Sequence, residues 1–530
     1  MIDDELKSKP GLFTAIGIGV GCMIGSGWLF AAYYAAKYVG PASYLSWLVG
    51  AALAMILALL LAEIASMLKQ NALFARLLTI SHNNNDFGFV IAISSWLGMV
   101  IVVPAEASAT IQYLSTAIPH LTPYFFHHHQ HTALGTGLVI VLVIVYTLLN
   151  FGGIKSMAKA SNIIAILKIV IPLLTAVLLM SISFNTSNFT SQGVAPYGYG
   201  RVFSGVIVCG IFYAFYGFSM VAMFSSELER PRRNIPIALT ASVLICLIIY
   251  LLLQMAFIAS IPTEMIANGW NHINFTSPLA QLLILLNINI LSLWAYVLYF
   301  DSIISPSGTG ILYMGSCART LKGMAKDKQM PVYFDKNHPQ YQLSRRALIF
   351  TTLVCCTMVV FFKNWQTIMI VVSVFQVISC VAIPLSFVKL RTTKPNEERP
   401  FRVIFGLSLS FIVYMAMSYL LIQATIEALA LALIMHLVFF IFYILSFYGK
   451  QLRNFYRSFG SSWTLFAYMA YALVIGYISH HHLLADWLQG ILFILGFSVL
   501  YVFLLGQKNL NKNRYDENED AIRMIGELSI

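Results

Sequence analysis

The chain reads as an all-α integral membrane protein, and three observations carry that reading. Of its 530 residues 59% are hydrophobic and only 10% charged, whereas a soluble chain carries about 25% charged residues. Apolar runs of the ~20 residues that cross a bilayer follow one another from residue 11 to residue 506. The basic residues are also one-sided. With the N-terminus in the cytosol, 28 of the 32 Lys and Arg fall on cytoplasmic segments and 3 (Lys37, Arg201, Lys363) on the opposite face. That asymmetry fits an even number of spans with both termini cytoplasmic, as in a multi-pass protein of the cytoplasmic (inner or plasma) membrane. The net charge of +11 is then a topology signal facing anionic membrane lipid rather than a nucleic-acid surface.

The runs divide into fourteen spans, taken in order. The first five lie near 11–36, 43–67, 88–117, 133–150 and 160–181. The next five lie near 202–225, 235–260, 285–316, 346–362 and 366–388. The last four lie near 404–423, 427–448, 463–481 and 485–506. The first follows Asp3-Asp4-Glu5, not a basic leader, and is expected to be a true helix. The seven cysteines contain no CxxC pair, so neither a disulfide framework nor a metal site is expected.

Two spans carry glycine where a plain helix would not. Ile24-Gly25-Ser26-Gly27 brings two glycines around a serine to mid-membrane, and Phe215-Tyr216-Gly217-Phe218 brings one glycine between aromatics. It is no dinucleotide loop: Cys22 stands where the third glycine of GxGxxG belongs. An unwound stretch in lipid must find partners for its amides, and a substrate carboxylate at a half-helix N-terminus would supply one. Gly17 and Gly21 are instead read as small-residue helix packing.

Charged residues inside spans cost roughly 2.5–3.5 kcal/mol each at the bilayer centre and mark functional positions. Lys168 stands before about a dozen apolar residues and is a candidate proton carrier, the alternative being an amine bent back to the headgroups. Glu106 follows Pro104 and shares a helical face with Thr110 and Tyr113. Asp301 opens Asp301-Ser302-Ile303-Ile304-Ser305-Pro306-Ser307-Gly308-Thr309-Gly310, too polar to face lipid. Glu63, near an inner helix end, suits structural pairing as well as function. Nine histidines (His120, His127, His128, His129, His131, His272, His480, His481, His482) map to outer loops and read as solvated polar positions. Metal capture or acid sensing is the alternative reading. His436 is expected to bond within its own helix.

These motifs resemble the amino acid–polyamine–organocation (APC) permeases, and within them the bacterial aspartate–proton symporter-like members. The G-[ST]-G break, the stretch Glu227-Leu228-Glu229-Arg230-Pro231-Arg232-Arg233-Asn234-Ile235-Pro236, and Arg399-Pro400-Phe401-Arg402 carry the resemblance over about residues 10–405. A Pro-x-x-Gly-Gly-like segment is missing after the second span, where Met67-Leu68-Lys69-Gln70-Asn71-Ala72 stands. The resemblance implies a leucine-transporter-type five-plus-five inverted repeat with additional C-terminal helices. It divides the chain into 1–186 (tail and helices 1–5), 187–392 (helices 6–10), 393–507 (helices 11–14) and 508–530 (cytoplasmic tail). It implies amino-acid substrates and protons as partners. The carboxylate would lie on helix-one amides around Ile24, Gly25, Ser26 and Gly27, and the ammonium near helix-six carbonyls around Phe215 and Tyr216 beside Gly217, with Phe218 or Tyr216 as the gate. Lys168 would carry the proton, with Glu106 and Asp301 tuning the pocket or sharing it.

The expected function is secondary, proton-coupled amino-acid transport by alternating access. No Gly-Lys-Ser/Thr phosphate loop is present to use ATP, so a proton gradient and no cofactor is the expected energy source. An amino-acid exchanger, a non-transporting sensor and a membrane-embedded enzyme are the alternatives. The last lacks an H-E-x-x-H pair on any span.

Overall fold

The computed structural model describes residues 10–508 except 69, 71, 128–129, 152–153, 226–227, 337–343 and 448–451. The acidic start, His128, His129, Ser226, Glu227 and the tail beyond 508 lie outside the described residues. The remainder is almost wholly helical. Helix α1 is broken into α1a (Leu12–Met23) and α1b (Gly27–Val39), bent by 48°, and α6 into α6a (Gly200–Val208) and α6b (Ile211–Met223), bent by 61°. The others of the first ten are α2 (Ser43–Leu68), α3 (Asn85–Ala117), α4 (Ala133–Phe151), α5 (Ile154–Ile182), α7 (Pro231–Ser260), α8 (Asn289–Lys326), α9 (Arg345–Phe361) and α10 (Trp365–Thr393). Four more close the chain: α11 (Gly406–Ile422), α12 (Ile426–Phe447), α13 (Trp463–His480) and α14 (Asp486–Gly506).

Each expected span thus meets a helix. Nine helices among the described residues are long and apolar enough to cross a membrane, and eleven if each bent pair is one span. The other three, α9, α11 and α13, run 17, 17 and 18 residues, at the short end of what spans a bilayer. Helix α3 is the most enclosed of the spans and α14 the least. The molecule is therefore centred on α3, with its last helix turned to lipid.

Prolines inside helices locate the interhelical hydrogen bonds that hold this centre. Proline lacks an N–H and frees the carbonyl four residues earlier. Pro104 in α3 frees Val100, whose oxygen takes the Cys355 thiol of α9 at 3.4 Å. Pro306 in α8 frees Ser302, whose oxygen takes the Thr110 hydroxyl of α3 at 2.9 Å. The two helices are stitched together one turn from Glu106.

The atypical segment 67–72 leads into a short helix, Leu73–His82, that packs against α3 and α10 and reaches α6b and α8. Arg76 grips Asp327 through two hydrogen bonds of 2.5 and 2.7 Å. Nearby, the Ala72 amide donates to the Met223 carbonyl at 3.3 Å, and the Ser225 hydroxyl to the Gln70 carbonyl at 2.9 Å. A charged clamp thus ties the helix that follows the atypical segment to the C-terminal end of α8.

One histidine departs from the solvated-loop reading. The hairpin between α3 and α4 that pairs Phe126 with His131 buries His131, whose Nε2 lies 2.7 Å from the Ser108 hydroxyl of α3. Burial lowers its pKa to about 4, against about 6.5 in an unfolded chain. Between those values the unfolded chain binds a proton that the fold refuses, so acid removes stability as pH falls from 6.5 toward 4. The loss is on the order of 3 kcal/mol when fully developed. Melting His131→Gln beside the parent from pH 7 to pH 4.5 is expected to show a shallower acid decline in the variant. Parallel slopes would refute this. His436 bonds within its helix as expected, through Nδ1 to Ala432 at 2.7 Å.

Candidate substrate and proton site

The break in α1 is built from what its neighbours donate to it. After Met23 the backbone leaves the helix at Ile24 (φ −84°, ψ 83°) and resumes at Gly27. Four freed or end-of-helix carbonyls would be costly in an apolar interior, and side chains from three helices cover three of them. The Lys168 ammonium of α5 donates to Gly21 at 2.6 Å and to the Thr309 hydroxyl of α8 at 2.5 Å. The Tyr250 hydroxyl of α7 donates to Met23 at 2.8 Å. Ser305 and Thr309 of α8 both approach Ile24 at 3.4 Å. Lys168 is fully buried and points into the protein, not to the headgroups.

On the other side of the break the freed amide of Ser26 donates to Glu106 Oε2 at 2.7 Å. The Tyr213 hydroxyl donates to Glu106 Oε1. This is an anion position at the N-terminus of α1b, where amides and the helix dipole favour negative charge. Gly25 leaves room for this contact, because a Cβ there would overlap the Glu106 carboxylate unless that side chain moved. Trp365, at the start of α10, donates its indole N–H to the Ser26 hydroxyl at 2.8 Å and stacks on Phe30 and Tyr34 at 4.7 and 5.6 Å. Ser26, Glu106, Tyr213 and Trp365 are all at most 5% exposed, so the site is closed.

The main bend of α6 does not lie at Gly217. The sharp bend lies at Gly210, whose φ of +74° is open to glycine, seven residues before Gly217. Helical hydrogen bonding is interrupted a second time at Gly217–Phe218. Phe215 packs against Trp47 and Tyr250, and Tyr216 bonds Ser379 at 3.1 Å and packs on Phe74. Both face away from Ser26. Tyr213 is the aromatic that reaches the carboxylate. Asp301 is buried on α8 with neither carboxylate oxygen hydrogen-bonded, and it feels Lys168 through space without a direct contact.

Sequence reasoning therefore placed Lys168, Glu106 and Ser26 in one site but missed Trp365, Tyr250 and Thr309. Of these, only Thr309 had a signal, as part of the polar stretch in α8. Trp365 and Tyr250 are common interfacial or core residues whose role appears only once the helices are assembled.

Gly217 joins the two breaks. A Cβ there would stand 2.5 Å from the Cys22 carbonyl carbon and from the Met23 nitrogen, main-chain atoms that cannot turn aside. Overpacking of this kind costs about 1–3 kcal/mol. Gly217→Ala is expected to lower the melting temperature by several degrees. A variant that melts with the wild type would show that α1a and α6b are not tightly apposed.

Residues 11–428 match the family described as amino acid permease. The chain is 37% identical over 404 residues to the glutamate/serine transporter AimA of Bacillus subtilis, covering 76% of this chain and 74% of that protein. It is 28% identical over 481 residues to the aspartate-proton symporter of the same organism, covering 89% and 91%. The branched-chain amino acid permease BcaP, also of Bacillus subtilis, is 24% identical over 432 residues, covering 78% and 89%. The chain belongs to the amino acid permease family of the APC superfamily, whose members are multi-pass membrane transporters and not enzymes.

Proposed function

We propose that this permease carries an amino acid together with a proton across the cytoplasmic membrane, with both its termini in the cytosol. The observation that carries the reading is the pairing of Lys168 with the broken first helix. A buried ammonium rests on the Gly21 carbonyl and Thr309, a few residues from the amide of Ser26 that holds a carboxylate. Such an amine holds α1a against α5 and α8 while protonated and releases it on losing the proton, which ties the position of α1a to proton traffic. The substrate carboxylate binds at the N-terminus of α1b, Trp365 closes over it, and rocking of the broken helices opens the inner side. No cofactor enters this scheme; the proton gradient supplies the energy.

Glutamate, serine and aspartate, named for two relatives, are the first substrates to try. Purified protein in liposomes with an alkaline interior is expected to accumulate at least one of them, and an uncoupler to abolish accumulation. Uptake indifferent to pH gradient and uncoupler, with counterflow intact, would make the protein an exchanger. Binding without flux would make it a sensor.

A further inference from the structure

We propose that Glu106 is a built-in stand-in for the substrate's carboxylate, seated in the position the substrate must take, so that binding requires its displacement. The inference rests on the transport reading above and deepens it. Three independent features of the site point the same way. An amide freed by the break, a donor that lipid cannot satisfy, is spent on Glu106 Oε2 at 2.7 Å. The second oxygen is taken by Tyr213, so both lobes of the carboxylate are held as an incoming α-carboxylate would be. The missing side chain at Gly25 leaves a surface that fits a carboxylate pressed against the main chain. Around it, the Tyr113 hydroxyl fixes the Leu29 carbonyl at 2.9 Å and Trp365 seals the outer side. The cradle is complete, closed and filled from within.

Two carboxylates cannot share one amide while both are charged, because like charges at contact oppose each other. An arriving substrate therefore meets an ionised competitor. When Glu106 takes a proton it becomes a neutral and weaker acceptor for the Ser26 amide, and the charged carboxylate of the substrate outcompetes it there. The proton then resides on Glu106 while the substrate is bound. The titratable groups that interact with Glu106 are Lys168 on α5, Cys22 on α1a, Tyr146 on α4, Tyr213 on α6b, Tyr250 on α7 and Tyr313 on α8. Asp301 on α8 acts on Lys168 in turn. Lys168 is the basic side chain among them, and it holds the neighbouring carbonyl rather than the Ser26 amide.

The test is equilibrium binding of radiolabelled L-serine, L-glutamate and L-aspartate to the purified full-length protein between pH 5.5 and pH 8. Glu106→Gln and Glu106→Ala are measured beside the wild type, each first checked by thermal melt. In the wild type the affinity is expected to fall at least tenfold as pH rises. Both variants are expected to bind as tightly as the wild type does at its acid limit, with that pH dependence gone. Folded variants that bind tenfold more weakly at every pH would overturn the proposal, since Glu106 would then be a direct ligand of the substrate. A pH dependence that persists in Glu106→Ala would overturn it too, by assigning the competition to another group. A wild type and variants that bind none of the three amino acids would remove the transport reading itself, an outcome distinct from the other two.

Discussion

Lys168→Ala is expected to reduce proton-driven uptake roughly 100-fold or more while leaving the protein folded. Two hydrogen bonds from a charged donor, to Gly21 and Thr309, are worth about 1.5–3 kcal/mol each. Together they set how firmly α1a is held, and each 1.4 kcal/mol is roughly a tenfold change in that population. Stability follows a different balance. Removing the ammonium also removes the cost of burying it, and Thr309 retains its own contact with the Gly21 carbonyl at 3.1 Å. The melting temperature is therefore expected to move by only a few degrees. Uptake against a gradient and counterflow without one separate the two effects: the first is lost, the second survives in part. A Lys168→Ala protein that still accumulates substrate to the wild-type level would take the proton off this residue.

The legibility of this site follows from how much each signal depends on distant parts of the chain. A lysine among Ala165-Ile166-Leu167 and Ile169-Val170 is anomalous on its own helix, because lipid penalises it wherever the helix packs. The same holds for Glu106 and for glycines flanking Ser26. Hydropathy and basic residues located the fourteen helical segments because both are local counts. The pairing of Glu106 with Ser26 spans 80 residues and that of Trp365 with Ser26 spans 339. Neither has a local pattern. Tyr213 and Gly210 were hidden for a subtler reason. The aromatic run from 211 to 218 contains several rings, and helical phase decides which one faces the break. That phase is reset at Gly210: the Tyr213 ring reaches Glu106, while the Phe215 and Tyr216 rings turn toward α2, α7 and α10.

Glu63 poses the opposite case, a charge in a span whose partners make it structural, and Glu63→Ala is expected to be among the most destabilising single changes. Its carboxylate receives Arg391 at 2.9 and 2.7 Å and the Val403 amide at 2.7 Å, with Arg399 at 3.3 Å. The Glu63 side chain is 3% exposed, and those of Arg391 and Arg399 are 17% and 10% exposed. One anion thus pairs with two guanidiniums and ties the C-terminal end of α2 to the connection between α10 and α11. Its removal strands both cations and a main-chain donor, and breaking a buried pair from one side costs about 3–5 kcal/mol. The cost arises from the stranded charges, not from the ion pair as such. Replacing Glu63, Arg391 and Arg399 together by Leu, Met and Met is therefore expected to recover much of what Glu63→Ala loses, since apolar substitutes of similar size need no partner. Melting at one fixed scan rate compares the two proteins on equal terms. A triple variant less stable than Glu63→Ala would mean that the guanidiniums hold the inner loop through their carbonyl contacts, Arg391 to Val403 at 2.8 Å and Arg399 to Lys394 at 2.8 Å, more than through the shared carboxylate.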